Sequence, residues 1–429
     1  MTVSEEKPPS AGRTMHLGVL FPNDSSTVWS RAPMGSQIAF DSFLHMARTA
    51  ERAAFDFFFL TESLRLPEVH GRVRELDVAG RPESLTLLSA LAAVTSRVGL
   101  AATVNTTFNE PFDLARRFSS LDHLSGGRAA WNVVTTSDAF TGGNFRRGGF
   151  LPSAERYTRA RDAVGLCRTL WRSWEPTVWP GASPEGFSYA GSHFRASGAF
   201  TLPRSPQVDP VLIQAGNSDE GREFAASHAD VVFTLQNGLE SGRRFYADVK
   251  RRLALYGRRP DDLKVMPGMS FVLGTTGAEA HERAVQQRRD LITPQAALAF
   301  LEHTWGVDLS GYDPDGPLPE IGPADPRDVP VVQRWRDRAD EEGLSVRELV
   351  VEVTGRQSLV GTPLTVARRL IQLFRAEAAD GFIIRPHAAP DGLDGFVDEV
   401  VPLLQEMGAF RSAYTGSTLR DHLGLCPPG

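Results

Sequence analysis

The chain has 429 residues, of which 41% are hydrophobic and 23% are charged, as in an ordinary folded globular protein. Its formal net charge at pH 7 is −6, so no positive field favours binding to nucleic acid or to an anionic membrane surface. Cys167 and Cys426 stand far apart and outside any Cys/His cluster. This spacing argues against a disulfide framework and against a structural zinc site.

The N-terminal residues 1–14 are polar and carry Glu5 and Glu6, where a signal peptide needs a basic patch followed by an apolar run. The longest apolar-rich stretch, residues 85–94, is too short to cross a bilayer. We therefore predict a disordered N-terminal tail and a cytoplasmic protein with no membrane partner.

Short apolar runs alternate with helical patterns along the whole chain. Continuous apolar runs are typical of strands buried on both faces, whereas helical patterns repeat apolar residues at spacings of three and four. The predicted strands cover residues 15–21, 55–60, 98–104, 129–134, 211–215, 230–235, 264–273 and 381–385. The predicted helices cover residues 41–54, 84–96, 111–124, 155–174, 219–227, 242–256, 278–300 and 393–407.

This order of elements predicts an α/β fold, a (β/α)₈ TIM barrel with insertions, in a single domain over residues 15–425. A doubly wound open sheet is the structural alternative. Such a barrel needs about 250 residues, so the chain has room for insertions. We expect active-site loop insertions at 136–154 and 175–209, and a Pro-rich insertion at 304–360 that includes a helix at 331–341.

The functional groups of such a barrel lie at the C-terminal ends of its strands and in the loops that follow. These positions are polar here, and Arg385 and His387 are among them, but Glu62 is the one carboxylate directly after a predicted strand. Hydrolysis of the glycosidase kind needs two facing carboxylates, so it is weakly supported. His70, His193 and His387 lack a second ligand at metal spacing, and no metal site is predicted.

Two strand ends have the residue types of a ligand site. Residues 214–221 run into a helix that opens near Ser218, where small residues and free N–H groups suit a phosphate. A turn capped by Ser218 without a ligand is the alternative. Asn132 lies inside an apolar strand, followed by Thr135 and Thr136. A buried Asn must be hydrogen-bonded, either to backbone or to a planar polar ligand.

Several motifs follow one another in a distinctive order. They are FFFLTE at 57–62, GLAATVNTT at 99–107, SGGRAAWNVVTT at 125–136, GNF at 143–145, ERY at 155–157, QAGNS at 214–218 and YTGSTLRDHLGL at 414–425. This set resembles the bacterial-luciferase-like flavin monooxygenases. The resemblance is to the subgroup of nitrilotriacetate, dibenzothiophene-sulfone and long-chain-alkane monooxygenases and pristinamycin IIA synthase.

The resemblance implies an enzyme that takes reduced FMN from a separate NAD(P)H-dependent flavin reductase. It further implies reaction with O₂ through a flavin C4a-peroxide, which transfers one oxygen atom to a small organic substrate while the other leaves as water. By the same resemblance, the residues that line the flavin ring are Glu62, Thr103, Asn132 and Thr135 or Thr136. Those that contact the FMN phosphate and ribitol are Tyr157, Asn217 and Ser218. A cofactor that supplies the chemistry agrees with the scarcity of acid/base pairs.

The chain departs from the family pattern at two places. The loop after the first strand keeps Trp29 but lacks the His that many members carry with it, and Glu62 stands where Asp is usual. His193 and Asp24 are the candidate bases. We expect a homodimer or homotetramer. An F420-dependent oxidoreductase, a flavin-binding barrel without turnover and a hydrolase barrel are the alternative functions.

Overall fold

A computed structural model describes residues 13–22, 28–29, 36, 38–62, 64, 68–69, 72–73, 82–136, 143–145, 153–176, 180–354, 357–389 and 391–428. The strands are β1 (His16–Leu20), β2 (Val28–Trp29), β3 (Phe57–Leu60), β4 (Glu68–Val69), β5 (Arg72–Val73), β6 (Gly99–Asn105), β7 (Ala129–Val134), β8 (Gly186–Ala190), β9 (Arg195–Ala199), β10 (Val211–Ala215), β11 (Val231–Thr234), β12 (Lys264–Leu273), β13 (Leu359–Gly361), β14 (Gly381–Arg385) and β15 (Ala388–Ala389).

The helices follow the strands in alternation over most of the chain. They are α1 (Phe40–Arg52), α2 (Ser84–Ala92), α3 (Pro111–Ser125), α4 (Ser153–Trp171), α5 (Asp219–His228), α6 (Leu239–Leu253), α7 (Gly277–Leu291), α8 (Pro294–Trp305), α9 (Val329–Glu342), α10 (Val346–Val353), α11 (Pro363–Arg375), α12 (Val401–Glu406) and α13 (Leu419–His422). Within the described ranges, none of these helices combines the length and the apolar character that a membrane span requires.

Eight parallel strands close into a barrel. The ring runs β1–β3–β6–β7–β10–β11–β12–β14, and β14 pairs with β1, so the sheet has no open edge at this seam. Strand β13 is added beside the C-terminal part of β12, where Phe271 pairs with Leu359. The predicted (β/α)₈ TIM barrel is therefore confirmed, and the open-sheet alternative is wrong because the first and last strands pair. All eight predicted strands are present in the ring.

Alternate residues of the strands face the barrel interior, because successive side chains of a strand point to opposite faces. The interior cluster includes Leu20, Phe57, Phe59, Ala101, Ala130, Ile213, Met266 and Ile383. Gly18 leaves room for one of these rings, since a Cβ atom at Gly18 would lie 2.5 Å from the ring of Phe57. Leu419 and Leu423, from the region of α13, belong to the same cluster, so the C-terminal segment packs against this interior.

Aspartates that directly precede strands bind the N–H groups of the neighbouring strand at the N-terminal end of the barrel. The Oδ2 atom of Asp56 accepts from the N–H of Leu17 at 2.8 Å, and Asp380 accepts from Val265 at 2.9 Å. Burial alone would raise the pKa of Asp56, but the charges of Arg411 and His16 outweigh it and lower that pKa to about 2. These carboxylates therefore hold the ends of the strands in register.

The structure differs from the predicted elements at several places, and the helix predicted at 393–407 is present as a π-helical segment, Phe396–Val400, followed by α12. The single helix predicted at 278–300 is wrong, because α7 ends before Pro294, whose ring cannot continue a helix, and Thr293 caps α8 by accepting from the N–H of Ala296. Helix α11 was not predicted, although Thr362 caps it in the same way. Residues 304–360 contain two helices, α9 and α10, which pack with α8 around a separate hydrophobic cluster that includes Trp305.

Candidate active site

The mouth of the barrel is formed by the C-terminal ends of its strands, and two predicted residues meet there. Thr103 on β6 and Asn132 on β7 are register partners, and Asn132 Nδ2 donates to Thr103 Oγ1 at 3.0 Å. Asn132 is only 2% exposed, yet its Oδ1 atom has no hydrogen-bond partner among the described residues. Since buried polar atoms are nearly always bonded, this oxygen is suited to a donor on a ligand.

Thr135 and Thr136 lie immediately beyond this pair. The carbonyl of Thr135 accepts from the hydroxyl of Thr107 at 3.0 Å, which joins the ends of β6 and β7. Thr136 has a φ of 30°, in the left-handed region that β-branched residues avoid. Strained backbone of this kind is concentrated at ligand and active sites, where the surrounding structure holds it.

A glycine-containing turn connects β10 to α5, and we call residues 216–221 the α5 turn. Ser218 caps α5, since its Oγ accepts from the N–H of Gly221 at 3.1 Å. Tyr157 of α4 reaches the same turn, because a Cβ atom at Gly221 would lie 3.0 Å from its hydroxyl oxygen. The structure thus brings Tyr157 and Ser218 together at a helix N-terminus, where anions are favoured.

Asn217 is also in the α5 turn, but its amide oxygen is already used. It accepts a hydrogen bond from the hydroxyl of Thr234, at the end of β11, at 2.7 Å. This bond fixes the α5 turn to the neighbouring strand. A direct contact between Asn217 and the cofactor stays a prediction.

Glu62 follows β3 and carries a perturbed carboxyl group. Burial and the charge of Glu83 raise the pKa of Glu62 to about 7, against the opposing effects of the Ser84 N–H and Arg117. Glu83 caps α2 by accepting from the N–H groups of two residues of its first turn. Glu83 was not predicted from the sequence, although an acidic residue directly before a helical pattern is a typical N-terminal signal. Glu62 can therefore carry a proton near neutral pH.

Part of the loop after β7 lies over neighbouring strand ends. The side-chain amide of Asn144 donates to the carbonyl of Leu64, beyond β3, at 2.8 Å. The ring of Phe145 stacks on Phe108, beyond β6, with ring centroids 4.3 Å apart. The active-site role of residues 136–154 stays a prediction, and the aromatic pair was not singled out from the sequence because its members are distant in the chain.

The structure describes only one of the two candidate bases. Asp24 lies outside the described residues. His193 lies in the turn between β8 and β9, where its backbone N–H donates to Asp162 of α4 at 2.5 Å. This hairpin belongs to the segment that joins α4 to β10, and such helix-to-strand connections start and end on the side opposite the mouth. A catalytic role for His193, and the active-site role of residues 175–209, stay predictions.

The wall formed by β12 and β14 carries a second set of polar side chains. Ser270 pairs with Arg385 across these strands, and its hydroxyl accepts from the N–H of Ser358 at 3.1 Å. Asn237 donates to the hydroxyl of Ser358 at 2.8 Å. Burial, with the charge of Arg385, lowers the pKa of His387 to about 4, so its ring is neutral near pH 7.

Within the described ranges, no group of three or more His, Cys, Asp or Glu side chains is placed to hold a metal ion.

Comparison with known proteins gives consistent matches over nearly the whole chain. A family model described as luciferase-like monooxygenase matches residues 15–391. N-acetyl-S-(2-succino)cysteine monooxygenase of Bacillus subtilis (strain 168) is 40% identical over an alignment of 414 residues, and the match covers 92% of each chain. Nitrilotriacetate monooxygenase component A of Aminobacter aminovorans is 40% identical over 415 residues, 90% of each chain. A riboflavin lyase, solved with modified FMN and riboflavin, matches with a TM-score of 0.77 and 30% identity over 96% of each chain.

Proposed function

The chain belongs to the luciferase-like monooxygenase family, as its sequence motifs predicted, and from this membership we propose that it is the oxygenase component of a two-component enzyme that uses reduced FMN. In this proposal a separate NAD(P)H-dependent flavin reductase supplies the reduced FMN. One atom of O₂ enters a small organic substrate and the other leaves as water. The existence of a relative named as component A of its system supports a reductase partner.

The residues of the mouth fit FMN. The single observation that carries the proposal is the buried Oδ1 atom of Asn132, which lacks a partner among the described residues and can accept from a ring N–H of the flavin. The α5 turn, with Ser218 and the hydroxyl of Tyr157, is suited to the phosphate. Both features are at the C-terminal side of adjacent strands, β7 and β10.

The protein's own contribution is binding, orientation and exclusion of water, because bound FMN supplies the oxygen chemistry. Asn132 and Thr103 orient the ring, and the α5 turn holds the phosphate end. Leu20 and Phe59 fill the interior below the mouth with apolar groups. The half-buried carboxyl group of Glu62 holds or releases a proton near neutral pH. An apolar interior below the flavin helps to exclude water, which limits side reactions of activated oxygen.

The test is a titration of the purified protein with oxidised FMN and, without oxygen, with reduced FMN. We expect Asn132→Ala to weaken FMN binding about tenfold, the effect of losing one hydrogen bond in a dry site. The matched control is Gln333→Ala, which removes an exposed amide on α9. Absence of binding by either redox form of FMN, or binding of F420 instead, would contradict the proposal.

Turnover is tested in the coupled reaction with a flavin reductase, NADH and O₂. We expect a substrate to acquire one labelled oxygen atom when ¹⁸O₂ is used, whereas label supplied in water should not enter it. The substrate screen uses aromatic, sulfur-containing and carboxylate compounds. The expected homodimer or homotetramer stays a prediction that light scattering measures.

A further inference from the structure

Arg385 ends β14 with its side chain in the barrel interior. Ile383, two residues earlier on the same face, belongs to the interior cluster, and residues two apart on a strand share a face. The stem of Arg385 lies against Gly268 on β12, where a Cβ atom would be 3.1 Å from the Arg385 Cδ atom. A side chain at 268 would also meet the ring of Phe233 at 2.8 Å. Gly268 therefore leaves the space in which the arginine lies.

The guanidinium group of Arg385 has no partner among the residues that the structure describes. None of their carboxylate, carbonyl or hydroxyl groups forms a hydrogen bond or ion pair with it, and burial lowers its pKa without an opposing charge. Two buried arginines, by contrast, have partners: Arg128 donates five hydrogen bonds, and Arg420 pairs with Asp230 at 3.0 Å. A guanidinium keeps its proton, so Arg385 is a half-buried positive charge with no anion beside it among the described residues.

The position of Arg385 in the ring separates it from the residues that fit FMN. Strands β14 and β7 are four places apart in either direction around the eight-stranded ring, so Arg385 and Asn132 stand on opposite walls. Ser270, beside Arg385, is likewise across the ring from Thr103. The α5 turn follows β10, which is next to β7. A substrate that faces the flavin ring would thus meet the wall that carries Arg385.

We propose that Arg385 binds a carboxylate group of the substrate and that the enzyme acts on an organic acid in its anionic form. This inference rests on the proposed function, since it places the substrate opposite the flavin. A guanidinium and a carboxylate match in a paired geometry with two hydrogen bonds, which orients the substrate as well as binding it. The ring of His387, two residues beyond Arg385, is neutral near pH 7 and adds no second charge to this wall.

The anionic edge of reduced flavin is the other anion that Arg385 could meet, and oxidised FMN lacks that charge. The test therefore uses the full chain saturated with oxidised FMN, which also prevents turnover. Calorimetric titration compares matched pairs of acid and amide with the same skeleton. The pairs are benzoate and benzamide, phenylacetate and phenylacetamide, succinate and succinamide, and tricarballylate and tricarballylamide.

We expect at least one carboxylate to bind about 10- to 100-fold more tightly than its amide, the range for a hydrogen-bonded charge in a partly dry site. Arg385→Gln should abolish this preference. Arg385→Lys keeps the charge but lacks the planar guanidinium with its paired donors, so it should retain part of the preference. Arg195→Gln, on the exposed part of β9, should leave the preference unchanged. All variants should bind oxidised FMN like the wild type.

Two results would overturn the proposal: equal binding of acid and amide in every pair, or a preference that survives in Arg385→Gln. A loss of affinity for reduced FMN in Arg385→Gln, together with equal binding of acids and amides, would assign the guanidinium to the flavin instead. If the wild type fails to bind FMN in either redox state, the proposed function fails by that measurement. The pairs are then titrated into the flavin-free protein, where the same two results decide the role of Arg385.

Discussion

The hydroxyl oxygen of Tyr157 lies 3.0 Å from the point that a Cβ atom at Gly221 would occupy. The same point is 3.1 Å from the Cα atom of Gly216, so the α5 turn is closely packed by its own backbone and by α4. The hydroxyl of Tyr157 and the cap formed by Ser218 are thereby held at one helix N-terminus. The spacing of these groups depends on the absence of a side chain at 221.

Gly221→Ala should weaken FMN binding by about tenfold, because the added methyl group displaces Tyr157 or the α5 turn, and a loss of one charge-assisted hydrogen bond has this size. Quenching of FMN fluorescence on binding measures the affinity. Gly277→Ala is the control, since a Cβ atom at 277 meets nothing within 4 Å. Unchanged FMN affinity in Gly221→Ala would show that the phosphate does not use this turn.

Phe145→Ala should make bound flavin more accessible to a dissolved quencher. The ring of Phe145 stacks on Phe108 over the mouth, and its removal opens that side while costing only about 0.5–1.5 kcal/mol of pair energy. Iodide quenching of flavin fluorescence in the complex measures the exposure. The control, Phe112→Ala, removes a ring at the start of α3 that contacts Phe200 edge-on. Equal quenching in Phe145→Ala and the wild type would exclude this shielding.

Asp56→Asn should destabilise the fold by about 3–5 kcal/mol, since it removes the buried counter-charge of the half-buried Arg411 guanidinium. Urea unfolding measures the difference, and Asp340→Asn on exposed α9 surface is the control. The pKa of Asp56 is lowered from 3.8 to about 2, so its contribution is present above pH 3.8 and is lost as the pH falls towards 2. A variant as stable as the wild type above pH 3.8 would contradict this assignment.

Glu62→Gln should remove a pH dependence of the opposite sign. The folded protein raises the pKa of Glu62 from 4.5 to about 7, so the folded state holds a proton that the unfolded chain has released. Stability therefore falls as the pH rises from 4.5 through 7 and stays lower above it. Urea midpoints on both sides of this window should differ less in Glu62→Gln than in the wild type. Glu240→Gln, an exposed substitution on α6, should retain the wild-type difference.

The barrel could be predicted from the sequence because its strands are buried on both faces. The runs at Phe57–Leu60 and Val211–Ala215 are continuous and apolar, and each is followed by a helical pattern. Helix boundaries within charged segments were less predictable. The helix break at Pro294 was not predicted, although Thr293 before it is a usual signal for the start of a new helix.

The candidate site was predictable only in part, for a physical reason. Thr103 and Asn132 stand at strand ends, and their pairing follows once two neighbouring strands are parallel. The contact of Tyr157 with the α5 turn and the lack of a partner for Arg385 within the described part of the chain are properties of the packed barrel. They depend on side chains far apart in the chain, which no local spacing of residues encodes.

The aspartates before β3 and β14 form their ion pairs at the N-terminal end of the barrel, which is remote from the mouth. Substitutions at the mouth consequently leave these ion pairs intact, and a descendant protein can acquire a new substrate while it keeps the fold. This separation gives the scaffold its capacity to evolve new specificities.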